Sequence, residues 1–167
     1  MVPIIDASVF LGMHHESLEV REKCVEIIVR NFDGGLEINL EQIGLCDNVI
    51  WQRSREEQNA YYPFMSYLHT VMEFKRIPYA DEAYQLAAID YRLKHLPMKK
   101  AILACHVLAG ERGLYTLDDD LKDMDLLSDY IMPIISSSET EYFFSEPLNL
   151  FYKKSLMLKL KSDEISI

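Results

Sequence analysis

No stretch of this 167-residue chain reaches the roughly 18 consecutive apolar residues of a membrane-spanning helix, so a helical membrane span is not expected. Nothing basic precedes the apolar N-terminal segment and no small-residue cleavage site follows it, so no signal peptide is expected. Cysteine is scarce: Cys24, Cys46 and Cys105 stand alone, with no CxxC pair. An odd, unpatterned set argues for reduced, core-facing thiols and makes the cytoplasm the expected compartment. Positive charge is in short supply, with 17 Lys and Arg against 27 Asp and Glu and a net charge of −10. Such a surface does not capture nucleic acid by simple attraction. Repeats and low-complexity linkers are missing, as are a Gly-rich phosphate loop, a serine nucleophile elbow and an HExxH or His/Cys zinc spacing.

What remains is an ordinary globular composition, 49% hydrophobic and 26% charged, at a length that fits one domain able to bury a core without staples. "MVPIID" reads as a short buried strand. Residues 17–32 read as a helix with Val20, Cys24, Ile27 and Ile28 on one face, stopped by "DGG". "LEINL" is a second strand, ending at Glu41. Ser54 and Glu57 form a capping box for a helix with an apolar stripe of Tyr61, Phe64, Met65, Leu68, Val71 and Met72. Pro63 inside that stripe predicts a kink or a restart. Asp81 caps a helix to about residue 94, and residues 98–109 form another, closed by Gly110 and Gly113. "LYTL" is a strand, "YIMPII" an edge strand at Pro133, "SSSETE" a loop, and residues 146–160 are helical. Strands alternating with helices imply an α/β fold with a parallel sheet covered on both faces.

In such sheets ligands gather at the carboxyl ends of the strands. Three of those ends carry acids: Asp6, Glu41, and Asp118 with Asp119 and Asp120 behind it. Clustered carboxylates repel unless a cation sits between them, and hard oxygen ligands suit Mg²⁺ or Mn²⁺. Ions of that kind activate water and steady the leaving oxygen of a phosphodiester. For Asp6 taken alone, a helix cap is the ordinary reading, and "DDD" alone is a solvated turn.

"PIIDASVFLG" resembles the opening motif of PIN-domain nucleases, an Asp after the first strand followed by a small residue and a Ser or Thr. "INLEQIG" resembles that family's second acidic position, and "GLYTLDDDL" its late Thr-x-Asp-x-Asp motif. The resemblance implies a PIN-like three-layer α/β/α sandwich, with residues 1–135 as the domain and 136–167 as a loop and helix extension packed on it. It implies Asp6, Glu41 and Asp118 as catalytic metal-site acids, Asp120 as an accessory acid, and Ser8 and Thr116 as groups that orient the acids or bound water. The activity implied is metal-dependent endoribonuclease cleavage of RNA by Mg²⁺- or Mn²⁺-activated water. Many small proteins of this kind also work with an antitoxin-like partner.

One position departs from the pattern. The family's further Asp, at the start of the helix before the late motif, falls on Lys100, with Lys99 beside it. A lysine does not bind a cation. Its ammonium can instead sit among Asp6, Glu41 and Asp118 and replace a metal's charge. The second expected function is therefore a degenerate PIN-like protein without nuclease activity, serving as a binding or partner module or in a small-molecule reaction.

His14 and His15 follow the first motif, as loop residues or within reach of the acidic edge. His69 and His106 lie on helices near apolar residues and read as core or rim positions. Asn59, Tyr61 and Tyr62 are placed to overhang the acids, and Asp47 to line the same cleft or to face solvent. The aromatic stripe fits a packed helix or a homodimer face better than a base-stacking platform. The basic, apolar "LFYKKSLMLKLK" near the C-terminus packs on the domain by default, or meets a protein partner or RNA.

Overall fold

The structure is a computed structural model that describes residues 1–134 and 141–167. Its centre is a four-stranded parallel sheet in the order β3-β2-β1-β4, formed by β1 (Ile4–Ile5), β2 (Leu36–Asn39), β3 (Phe74–Ile77) and β4 (Leu114–Tyr115). Helices α1 (Ala7–Gly12), α2 (Leu18–Arg30), α3 (Leu40–Trp51), α4 (Arg55–Val71), α5 (Asp81–Ile89), α6 (Met98–Gly110) and α7 (Asp119–Lys122) connect the strands or follow them, and α8 (Leu148–Ser155) and α9 (Ser162–Ile165) end the chain.

The sheet separates two cores, and β1 and β4 contribute side chains to both. Ile5 and Ile38 join one with α1 to α4, α8 and α9, while Ile4 and Leu114 join the other with α5 and α6. The protein is thus α/β, with helices over both faces of a parallel sheet. The three cysteines are free and buried in these cores.

Several elements differ from the reading of the sequence. Strand β3 has no apolar alternation, because Lys75 and Arg76 lie at an exposed sheet edge, where charge discourages further pairing. Helix α4 runs unbroken through Pro63, whose exposed position, like that of Asn59 one turn earlier, leaves the freed carbonyl to water. Glu41 lies in the first turn of α3 and not at the end of β2, which stops at Asn39. Of "YIMPII", Ile131 forms a single bridge to Leu114, and residue 135 lies outside the described residues, as does most of "SSSETE".

The C-terminal segment is built into the first core through Phe144, Leu148, Leu158, Leu160 and Ile165. His14 Nε2 lies 2.7 Å from Ser155 Oγ, and Tyr152 donates a 2.8 Å hydrogen bond to the Met13 carbonyl. His15 Nε2 lies 3.0 Å from Ser162 Oγ. Both histidines therefore hold the tail. Burial, helped by the charges of Lys159 and Arg21, takes His14 down to about 3, so its ring is neutral at pH 7. The aromatic stripe of α4 is covered from within the chain: Phe64 packs at a tilt against Tyr152 and Tyr67 against Phe151, at 5.2 and 5.4 Å between ring centres.

Candidate functional site

The sheet register sets the site. Ile4 lies opposite Glu37 and Ile5 opposite Tyr115, so one step further Asp6 lies between Asn39 and Thr116. Three polar residues from adjacent strands thus share one row at the carboxyl edge.

Asp6 is 3% exposed, and protein donors engage both of its oxygens. It caps α1: Oδ1 accepts from the Ser8 and Val9 amides at 3.0 and 3.3 Å and from Ser8 Oγ at 2.5 Å. Oδ2 accepts from Thr116 Oγ1 at 2.5 Å. The two hydroxyls pass the connection on, since Ser8 Oγ accepts from the Leu117 amide and Thr116 Oγ1 from the Asp118 amide. Ser8 and Thr116 therefore fasten the β4 turn to β1. Burial raises the Asp6 carboxyl to about 6, against the lowering effect of the hydroxyl and amide donors, and the nearby Asp118 charge adds to the rise.

Asp118 is 4% exposed and caps α7, accepting from the Leu121 amide at 3.3 Å. Its Oδ2 is 2.6 Å from the ammonium of Lys100, which also reaches Asp120 at 2.7 Å. Lys100 stands in the first turn of α6, where a cation opposes the helix dipole and where no acid is present. Partial burial pulls its proton affinity down, but the hydrogen bonds and charges of the two acids outweigh that and hold it above the ordinary lysine value. The same hydrogen bond holds Asp120 below the usual carboxylate range.

Glu41 is exposed and makes no hydrogen bond to Asp6, Asp118 or Lys100; its carboxylate lies beside the Tyr79 hydroxyl. Its neighbour Gln42, 5% exposed, takes the inner place: Oε1 accepts from the Ala7 amide at 2.9 Å and Nε2 donates to the Tyr79 hydroxyl at 3.0 Å. Burial pushes the Tyr79 phenol up, the bond from Gln42 opposes this, and Glu41 and Asp6 add to the rise. Gln42 was findable, because Gln42, Cys46 and Ile50 follow a four-residue spacing along the buried stripe of α3 and Glu41 does not. Asn39 is fully buried, and neither atom of its amide has a partner among the described residues.

A divalent ion does not fit these donors. The Asp6 oxygens carry four protein donors, Asp118 faces an ammonium and a backbone amide, and Glu41 lies outside. Among the described residues no group of three or more His, Cys, Asp or Glu side chains is arranged to hold a metal. What the edge offers is fixed dipoles and one buried carboxyl, Asp6, raised to about 6. His14 and His15 are turned to the tail, and Asp47, Tyr61 and Tyr62 line a separate cavity.

Residues 1–165 match a family described as "Family of unknown function (DUF6190)". No curated protein and no solved structure matches the chain.

Proposed function

The chain belongs to the DUF6190 family of unknown function, and we propose that it is a PIN-like protein that works as a binding module and not as a metal-dependent ribonuclease. The PIN-like reading is supported by an Asp at the end of β1, with Ser8 behind it, lying beside a Thr-x-Asp-x-Asp turn after β4. One observation carries the functional reading: the Lys100 ammonium lies 2.6 Å from Asp118 and 2.7 Å from Asp120, where a nuclease of this plan needs a divalent cation. An ammonium neutralises the acids but offers no open coordination position and no activated water. The cytoplasm remains the proposed compartment, on the ground of three free, buried thiols.

The test is calorimetric titration with Mn²⁺ alongside an assay of single-stranded RNA cleavage. The expected results are no saturable Mn²⁺ binding by the natural chain and no cleavage with Mn²⁺ present. Lys100→Asp should gain Mn²⁺ binding. Cleavage that requires Mn²⁺ and disappears in Asp6→Asn would reinstate the ribonuclease and overturn the proposal.

A further inference from the structure

A cavity of about 410 Å³ lies among α1, α3, α4 and β3, on the side of the sheet that Ile38 faces. None of Asp6, Lys100 or Asp118 lines it, so it is separate from the acid edge. Its size falls within the roughly 300–1,000 Å³ of small-molecule sites.

The lining combines three chemistries. Phe10, Tyr61, Tyr62 and His69 give it aromatic walls. The Phe10 and His69 rings stack in parallel, 7° apart in tilt and 5.7 Å apart in centre. Arg76 brings a guanidinium from the edge strand, and among the described residues it forms no ion pair. Asp47 brings a carboxylate, one oxygen of which accepts from the Tyr62 hydroxyl at 3.2 Å. His69 Nδ1 is buried without a hydrogen-bond partner.

Together these groups offer a flat aromatic surface with one cation and one carboxylate at the same cavity. A buried ring nitrogen without a partner costs free energy that water would otherwise relieve. Burial first, and then the Arg76 charge, lowers His69 to about 4, so the ring is neutral at pH 7 and does not compete for an anion. Burial, the Asp47 charge and the Tyr62–Asp47 hydrogen bond push the Tyr62 phenol up to about 12, which keeps it a neutral donor and stacking surface. Arg76 is thus the cavity's only cation at neutral pH among the lining residues.

We infer that this cavity is a binding site for a small aromatic carboxylate carrying a hydroxyl or amino donor on its ring. The ring packs against the aromatic wall that Tyr62 and His69 present to the cavity. The carboxylate pairs with Arg76, in the fork geometry that suits a guanidinium. The ring donor reaches the free oxygen of Asp47. This reading goes beyond the acid edge and stands or falls separately from it.

The probe is 4-hydroxybenzoate, titrated calorimetrically into the full chain, with 4-hydroxybenzamide as the uncharged control. Saturable binding of the acid is expected, with the amide weaker by about tenfold or more, the cost of a lost charge-assisted pair. Arg76→Met should weaken the acid by a similar factor; Arg76 is exposed on an edge strand, so the variant folds. Lys75→Met, one residue away and outside the lining, should leave affinity unchanged. Asp47→Asn should cost affinity for 4-hydroxybenzoate but not for benzoate. Proton NMR should also show the His69 titration moving upward with ligand present, as the carboxylate offsets the Arg76 charge. No saturable binding at millimolar acid, equal affinity for acid and amide, or unchanged affinity in Arg76→Met would each overturn the inference.

Discussion

Replacing Lys100 by Met removes the ammonium and keeps the helical stem. In the natural chain the Lys100 side chain is 12% exposed and that of Asp118 5%. A buried pair stripped of one partner loses about 3–5 kcal/mol. Lys100 lies close enough to the rim for solvent to screen it, and Asp118 keeps the Leu121 amide, so about 2 kcal/mol is expected. In a chain of this size that lowers the melting temperature by about 4–8 °C. Asp118→Asn in the same background should recover most of the loss, since Asn caps a helix as well as Asp does. Urea denaturation followed by circular dichroism measures both. A Lys100→Met variant within about 0.5 kcal/mol of the natural chain at pH 7, the range of an ordinary surface change, would refute the buried-pair reasoning.

Two further outcomes follow from the same edge. Asp6, raised to about 6 in the folded state, contributes stability at low pH that fades as pH rises through about 6. The natural chain should thus lose up to about 3 kcal/mol relative to Asp6→Asn between pH 4 and pH 7, which paired denaturation curves would show; a flat difference contradicts it. Asn39→Val removes a buried amide with neither atom bonded and should stabilise by about 1 kcal/mol. A loss of similar size on denaturation would contradict this.

Much of the frame was legible because it rests on local rules. The apolar run before Asp6 had to be a strand, and the small residues after it a helix start, so the acid fell at a sheet edge. The link from Asp6 through Thr116 follows from two strands lying side by side, and Lys100 was placed near the late acids by the resemblance to PIN-domain nucleases, whose further Asp falls at that position. The fine selection within α3 was not read, because positions 41 and 42 point about 100° apart around a helix and only one faces inward. The apolar stripe of Cys46 and Ile50 would have chosen Gln42. Strand β3 was missed for a physical reason: at an edge, charges at Lys75 and Arg76 protect the fold while erasing the alternation that marks a strand. The pairs of His14 with Ser155 and His15 with Ser162 join residues more than a hundred positions apart, which periodicity does not report.

Paramagnetic broadening by Mn²⁺ tests the central claim most directly. In the natural chain the backbone amide signals of Ser8, Leu117 and Leu121, which hydrogen-bond to the edge groups, should stay sharp as Mn²⁺ is added, and in Lys100→Asp they should broaden. Selective broadening of these three signals in the natural chain would show a divalent ion displacing the ammonium and would contradict the account.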